Sequence, residues 1–329
     1  MARIQWRPRK MRAVVLASLV GVAAVATVAI RAQDQFALYI FVTDPKGVPV
    51  LDIKPSDLTV KEDVGQSTVV SVNRFGWPLK VTVLVDNGTK TESLLLHYRN
   101  GLKKFFEGLP PEVPVTMLTT APNPRFLFKD TKDRVQIQKG VNLITQDDGL
   151  GKFSDALYEY SRRLDEEFRK VSPEQLPPYL PVLVSIATTQ QDGSHVQRDL
   201  NQDMLKSLRK HHVWTNMIMV QPSKAAAEPG NAPTIDADEA QTSELANAVF
   251  QFTKGRYVPI SQTGASSLGT TILPELAQSI TARYIKQMMQ HRLILERPAG
   301  ATGPMKQFSL TLSNNPGAQL VVSTDGQIQ

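Results

Sequence analysis

The chain has 329 residues, with 37 Lys and Arg against 31 Asp and Glu and no cysteine. Six of the basic residues precede Gln33, where no acidic residue occurs, so the formal net charge of +6 belongs entirely to this leader. The rest of the chain is neutral, and the basic pI therefore gives no support to nucleic acid as a partner. Without cysteine no disulfide framework can hold the fold, which must depend on a hydrophobic core.

Residues 1–32 have the pattern of an export signal. Basic residues come first, and residues 13–30 form an apolar run without charge. Because a small residue follows at Ala32, we expect cleavage there and an exported, periplasmic or extracellular chain with no stable membrane span. The run is also as long as the shortest membrane-spanning helices, about 17 to 25 residues. A retained signal anchor is therefore the alternative.

Residues 33–76 predict a small antiparallel β module. Short alternating runs such as FALYIFVTD, LTVKED and STVVSVNRF are separated by turn residues, for example DPKG at 44–47. This pattern is typical of short strands joined by tight turns. About 40 residues bury too little apolar surface for an independent core, so we expect the module to pack against the rest of the chain.

Residues 77–290 alternate apolar runs of strand length with amphipathic segments, which is typical of βα units around a mostly parallel sheet. The predicted strands are 81–86, 113–120, 181–188, 213–220 and 255–260, and the predicted helices are 92–107, 132–144, 153–170, 199–211, 239–252 and 271–290. Nearly continuous hydrophobic strands indicate a sheet covered on both faces. With right-handed crossovers, the pattern predicts a doubly wound, Rossmann-like α/β layer.

Two further segments complete the organisation. Residues 291–329 return to strand-like runs, RLILER, QFSLTLS and AQLVVST, separated by Pro and Gly turns. We expect these strands to join the N-terminal module in one small β-sandwich-like unit. Residues 221–238, rich in Ala, Pro, Glu and Asp, are too long and polar for an ordinary connection and predict a mobile surface loop.

The ends of the predicted strands are the place to look for a site, because open α/β sheets bind ligands beyond the carboxyl ends of their strands. The loops in question begin at Asp86, Thr120, Thr188 and Gln221. The first of them, DNGTKTES at 86–93, has the highest density of polar residues. The sequence therefore predicts a binding surface at this edge.

Five segments occur in an order and spacing that are specific when taken together. They are VTDPKGVPV at 42–50, SDLTVKEDVG at 56–65, the strand that ends in Asp86, DAL at 155–157 and ELANAVFQFTKGRYVPI at 244–260. With them the chain resembles the bacterial secreted VWFA-related proteins, which combine a signal peptide, a small β module and a von Willebrand factor type A (VWA) domain. The resemblance covers nearly the whole chain and implies a VWA-type fold.

The resemblance also implies a Mg²⁺ or Mn²⁺ site, the metal-ion-dependent adhesion site, whose first loop reads Asp-x-Ser-x-Ser. Magnesium prefers a near-octahedral shell of oxygen ligands. This chain keeps Asp86, but Gly88 and Lys90 stand at the two serine positions. Glycine brings no side-chain oxygen, and the ammonium group of Lys90 repels a cation.

The other two loops of the implied metal site do not supply the missing oxygen ligands. In the family alignment Gly151 or Lys152 stands near the usual Thr, and Thr188 stands near the usual Asp. No carboxylate replaces the missing ligand. We therefore expect a degenerate adhesion site that binds no metal. We expect no other cofactor either.

A shifted alignment keeps a metal site open as the alternative. In that alignment Asp86, Thr89 and Thr91 bind Mg²⁺ or Mn²⁺, and Asp192 supplies the third loop. For Asp86 itself two interpretations remain. Either Lys90 or another base neutralises its carboxylate, or the carboxylate caps the following turn or helix, as Asp often does.

Function is predicted from these loops. We expect a protein partner of unknown identity to contact Asp86, Asn87, Thr89, Lys90, Thr120, Thr188 and Thr189 without metal, as in an adhesion or scaffold protein. No nucleophile and base occur at motif spacing, and no nucleotide-binding glycine motif is present, so we do not expect an enzyme. A metal-dependent VWA adhesion module and an exported enzyme of unknown type are the alternatives.

Overall fold

The computed structural model describes residues 35–172, 176–189, 192–195, 198–221, 237–301 and 307–327. The predicted export signal at 1–32, with its predicted cleavage site, and residues 222–236 of the predicted mobile loop lie outside this range. Residues Gln35–Gln329 form one compact unit. No helix in the described part of the chain has the length and apolar character needed to cross a membrane.

The described residues form two sheets of six strands. The strands are β1 (Gln35–Thr43), β2 (Leu58–Glu62), β3 (Gly65–Phe75), β4 (Leu79–Val85), β5 (Val115–Thr119), β6 (Arg125–Thr131), β7 (Leu180–Thr188), β8 (Trp214–Gln221), β9 (Arg256–Ser261), β10 (Gln290–Glu296), β11 (Phe308–Leu312) and β12 (Gln319–Ser323). The first sheet has the order β6-β5-β4-β7-β8-β9, and the second has the order β11-β2-β3-β10-β1-β12. α-Helices lie between most of the successive strands of the first sheet.

The first sheet is mostly parallel, as predicted. Strands β5, β4, β7, β8 and β9 pair in parallel. The sequences of β4 and β7, LKVTVLV and LPVLVSIAT, are buried at almost every position. Such continuous burial requires cover on both faces and explains why these strands lack polar alternation.

Strand β6 is absent from the sequence prediction. It pairs antiparallel with β5 at the edge of the sheet, with irregular register between Val115 and Leu118. Asp130 near its end has a positive φ of 44°, so the alternation of its side chains is interrupted. A bulged edge strand of this kind leaves a weak period in the sequence.

Among the described residues, six α-helices flank the first sheet. They are α1 (Leu95–Gly108), α2 (Arg134–Asn142), α3 (Phe153–Glu167), α4 (Arg198–Lys210), α5 (Ala237–Thr253) and α6 (Leu273–Met288). All six were predicted to within a few residues. The first is preceded by a 3₁₀ turn, Glu92–Leu94, and the last by a π turn, Leu268–Ile272.

Two hydrophobic clusters lie against the first sheet. Val83 of β4 belongs to a cluster with α1, α2 and α6. The next residue, Leu84, belongs to a cluster with α3, α4 and α5. Because successive side chains of a strand point to opposite faces, the helices cover both faces of β4. The carboxyl ends of the central strands β4 and β7 lead into loops.

The second sheet is antiparallel and joins the two ends of the described chain. Strand β1 pairs with β10 and β12, and β2 pairs with β11. In β3, residues 65–67 pair with β2 and residues 68–75 pair with β10. The strands on the two sides of β3 share one hydrophobic core, which includes Leu38, Val60 and Leu293. The predicted sandwich-like unit is therefore one curled sheet that encloses its own core.

Candidate functional site

The candidate site lies where β4, β5 and β7 end. Asp86 follows β4, Thr120 follows β5 and Thr188 is the last residue of β7. The backbone N–H of Asp86 donates to the Ile186 carbonyl at 2.8 Å, and that of Thr120 donates to the Val85 carbonyl at 3.1 Å. The parallel register thus brings the three predicted loop residues together.

The Asp86 carboxylate is buried, with 5% of the residue exposed. Its Oδ2 accepts hydrogen bonds from the Thr188 hydroxyl at 2.5 Å and the Thr188 backbone N–H at 3.2 Å. Its Oδ1 accepts from the Gly88 backbone N–H at 3.0 Å and from the Thr120 hydroxyl at 3.4 Å. Both oxygens therefore have two protein donors, which is what a buried carboxylate needs.

The charge of Asp86 affects a buried tyrosine of the core, Tyr98. Tyr98 of α1 is fully buried, and its hydroxyl has no hydrogen-bond partner among the described residues. Burial raises the pKa of Tyr98 well above its usual range, and the negative charge of Asp86 raises it further. Tyr98 is thus neutral at any physiological pH and supplies no charge to the site.

Residues 147–152, DDGLGK, cover the Asp86 carboxylate and are called the covering loop here. A Cβ on Gly151 would lie 2.2 Å from Asp86 Oδ1, and a Cβ on Gly88 would lie 2.5 Å from the Gly151 nitrogen. The Thr89 N–H donates to the Gly149 carbonyl at 2.9 Å. Only glycine at 88 and 151 allows this approach of two backbones. This role was not predicted from the sequence, where the Gly-x-Gly at 149–151 is its signal.

Asn87 links the covering loop to the segment that follows β5. Its Oδ1 accepts from the Ala121 N–H at 2.9 Å, and its Nδ2 donates to the Thr145 carbonyl at 3.0 Å and to Asp147 Oδ2 at 2.9 Å. Arg125 also binds Asp147 Oδ2 at 2.9 Å. A fully buried amide that joins three segments fixes the geometry of the loop.

The residues present do not fit the metal site that the resemblance implies. Gly88 has no side-chain oxygen, and the Gly151 backbone lies in the space that a side chain at position 88 would need. Protein donors already engage both oxygens of Asp86. No group of three or more His, Cys, Asp or Glu with metal-binding geometry occurs in the described ranges.

The shifted metal alignment is not assembled either. The Thr91 hydroxyl donates to the Gly88 carbonyl at 2.7 Å, and Thr89 is exposed. Asp192 caps helix α3, because its carboxylate accepts from the Phe153 N–H at 3.0 Å and from the Ser154 hydroxyl at 2.9 Å. Thr91 and Asp192 thus bind within separate local structures, away from the Asp86 carboxylate.

The structure distinguishes the two interpretations of Asp86, neutralisation by a base and capping of the following turn. Lys90 is exposed, and among the described residues no cation forms an ion pair with Asp86. Hydroxyl and backbone donors hold the carboxylate in place of a base. The bond from the Gly88 N–H is that of an Asx turn, so the capping interpretation describes part of the geometry.

The residues predicted to meet a partner divide by exposure. Asp86, Asn87, Thr120, Thr188 and Thr189 are each at most 6% exposed. Of the set, Thr89 and Lys90 alone are exposed. Of the predicted contact residues, these two are therefore the ones that a partner can reach in this conformation.

No protein-family model matches the chain, and no curated protein does so either. The chain is similar to solved VWA structures. A von Willebrand factor type A protein from Catenulispora acidiphila is 10% identical, over 88% of this chain and 73% of its own, with a TM-score of 0.44. The BatB protein from Bacteroides thetaiotaomicron is 13% identical, over 63% of this chain and 99% of its own, with a TM-score of 0.41.

A third similar structure is the SpRpn10 VWA domain, which is 13% identical over 58% of this chain and 93% of its own, with a TM-score of 0.40. At these identities and TM-scores the likeness concerns the fold alone. The function has to be argued from this chain's own residues.

Proposed function

We propose that this chain is an exported protein-binding module with a doubly wound VWA-type layer, whose strand-end surface acts in adhesion or scaffolding without a metal. The observation that carries the proposal is the covering loop. Its backbone lies against the Asp86 carboxylate, whose oxygens already accept bonds from Thr188, Thr120 and Gly88. Export is supported by the charged start and apolar run of residues 1–32.

The surface available to a partner is the outer rim of these loops, which we define as Thr89, Lys90, Leu96 and Leu143. Leu96 and Leu143 are each 61% exposed, although both are large apolar residues. Exposed apolar side chains beside polar ones are typical of protein-binding patches.

Two hydrogen bonds connect the parts of the rim. Gln146 Nε2 donates to the Thr89 carbonyl at 2.9 Å. Arg99 of α1 donates through Nη2 to the Ile144 carbonyl at 2.6 Å, which joins the helix of Leu96 to the residue after Leu143. The rim is therefore built on fixed elements, as a recognition surface requires.

The alternatives make different demands. A metal-dependent adhesion module needs an open Asp86 carboxylate, whereas a metal-free rim needs the loop closed. An enzyme needs a nucleophile or an acid and base pair at a cleft, and no such pair meets at the strand-end loops that the structure describes. Binding that survives a chelator favours the rim.

The experiment is site-specific photo-cross-linking. A photoreactive amino acid replaces Lys90 in one variant and Leu96 in a second, and each variant is irradiated in an extract of the native cell envelope. We expect one protein adduct common to both variants, formed equally with and without EDTA.

The matched control places the same photoreactive residue at Lys206, whose side chain is 72% exposed. Lys206 lies on α4, which packs on the face of the first sheet opposite to that of α1. This variant is expected to give no such adduct. An adduct that EDTA abolishes contradicts the metal-free proposal. Equal adducts at positions 90, 96 and 206 contradict the assignment of the rim.

A further inference from the structure

A pocket lies far from the covering loop, near the amino ends of β8 and β9. It has a volume of about 250 Å³ and is lined by Trp214, Lys254, Ser279, Ala282, Arg283 and Lys286. Its charged lining residues are all basic. We call it the basic pocket. The chain outside the leader is neutral as a whole, so this local concentration of cations is a feature of the pocket and not of the composition.

Arg283 of α6 is the buried member of the basic pocket. It is 8% exposed, and its guanidinium stacks on the Trp214 ring at 4.4 Å from the ring centre. Its Nη2 donates to Gln327 Oε1 at 3.1 Å, while its Nε has no acceptor among the described residues. A buried guanidinium normally has a carboxylate partner, and Arg283 forms no ion pair with a described side chain.

The lowered pKa of Arg283 indicates a buried positive charge that a nearby negative charge would stabilise. Burial lowers the pKa of Arg283 to about 10, and Asp325 opposes that shift only through its more distant charge. The guanidinium is therefore still charged at neutral pH while largely removed from water. A bound anion would offset this desolvation.

Lys254 extends the basic pocket to the surface. It follows α5, has a positive φ of 53° and is exposed. No described acidic side chain forms an ion pair with it. An accessible ammonium group beside a planar guanidinium is the combination that proteins use to hold phosphate oxygens, one as a point charge and the other as a fork.

We propose that the basic pocket binds a phosphate group, with Lys254 and Arg283 as its main contacts and Lys286 and the Ser279 hydroxyl beside them. A small phosphate monoester and the headgroup of an anionic phospholipid share this chemistry. The volume suits a phosphate-sized group better than a drug-sized ligand.

Two exposed apolar residues bear on the source of the phosphate. Phe252 lies two residues before Lys254, and Ile285 precedes Lys286; each is 41% exposed. Basic residues flanked by exposed apolar side chains are typical of surfaces that bind anionic lipid. The lipid arm of the experiment therefore includes a Phe252→Ser variant.

The test uses the chain from Gln35, whose described hydrophobic clusters all lie within one compact unit. In the soluble arm, calorimetry measures binding of inorganic phosphate and glycerol phosphate. In the lipid arm, co-sedimentation measures binding to phosphatidylcholine vesicles with and without phosphatidylglycerol. Binding in the soluble arm assigns a phosphate monoester. Binding to phosphatidylglycerol vesicles that Phe252→Ser weakens assigns a lipid headgroup.

The variants decide whether the pocket is responsible. Lys254→Gln changes an exposed side chain and is expected to weaken binding about fivefold, the effect of one basic residue near an anionic surface, with unchanged thermal unfolding. Lys206→Gln removes an exposed charge elsewhere and is expected to change nothing. Arg283→Gln is expected to abolish binding, with its fold checked by circular dichroism. No phosphate binding in either arm, or equal binding by the wild type and Lys254→Gln, overturns the proposal.

Discussion

The Thr188 hydroxyl lies 2.5 Å from the Asp86 carboxylate, at the position where the resemblance to VWA proteins would place a second acidic residue. A hydroxyl donor satisfies the carboxylate, whereas a second carboxylate would repel it in the absence of a cation. The pair therefore fits a site whose acidic residue binds protein donors. These donors explain how the Asp86 carboxylate is stabilised although the other ligands of a metal site are absent.

Asp86→Ala is expected to destabilise the protein by about 3 kcal/mol, because the Thr188 hydroxyl and the N–H groups of Gly88 and Thr188 lose their buried acceptor. Urea denaturation measures the free energy of unfolding. Asp148→Ala, an exposed carboxylate of the covering loop, is the control and should change it by less than about 0.5 kcal/mol. Equal stability of the two variants would contradict this assignment of Asp86.

Gly88→Ser restores a serine of the adhesion-site motif and is expected to destabilise rather than to create a metal site. Its Cβ would lie 2.5 Å from the Gly151 nitrogen, so two backbones must separate at a cost of roughly 3 kcal/mol. Gly269→Ala is the control, since the nearest atom to its Cβ lies at 3.5 Å. A stable Gly88→Ser variant that binds Mg²⁺ would show that the covering loop opens readily.

The curled sheet should lose stability in acid through Glu62. Arg297 binds this buried carboxylate at 2.9 Å, and the hydrogen bond lowers the pKa of Glu62 from its ordinary value of 4.5. Because the folded pKa is depressed, the pair stabilises the protein above pH 4.5 and this contribution is lost as the pH falls through the folded pKa. Urea midpoints at pH 7 and pH 3 measure the difference.

Glu62→Gln isolates this contribution. The variant is expected to lose about 2 kcal/mol at pH 7, since the half-buried Arg297 guanidinium then loses its charged acceptor, and to show a smaller further loss on acidification than the wild type. Asp203→Asn breaks a solvent-exposed pair with Lys206 and is expected to cost almost nothing. An acid profile of Glu62→Gln that matches the wild type would assign the acid sensitivity to other groups.

Asp192 is expected to act on helix α3 and not on a metal. Asp192→Ala should lower the free energy of unfolding by about 1 kcal/mol, the usual value of a helix N-terminal acceptor, because the Phe153 and Ser154 N–H groups lose their partner. Asp192→Asn keeps one acceptor oxygen and should lose less. Equal unfolding of both variants and the wild type would mean that this cap is not formed in solution.

The parallel layer could be predicted because its strands are continuous apolar runs between amphipathic helices. For the same reason the strand-end positions of Asp86, Thr120 and Thr188 placed them together. Strand β6 could not be predicted, since its bulge interrupts the side-chain period.

Closure of the site could not be predicted either. It depends on contacts between Gly88 and Gly151, two glycines that resemble ordinary turn residues in the sequence. Only the meeting of their backbones shows why neither position carries a side chain.

Calorimetric titration of Mg²⁺ and Mn²⁺ into the chain from Gln35, with Asp86→Ala as control, tests the metal-free site most directly. The covering loop and the donors on Asp86 predict no binding heat in either protein. Tight binding by the wild type that is lost in Asp86→Ala would contradict the account, since it would require an open carboxylate where the structure has a closed one.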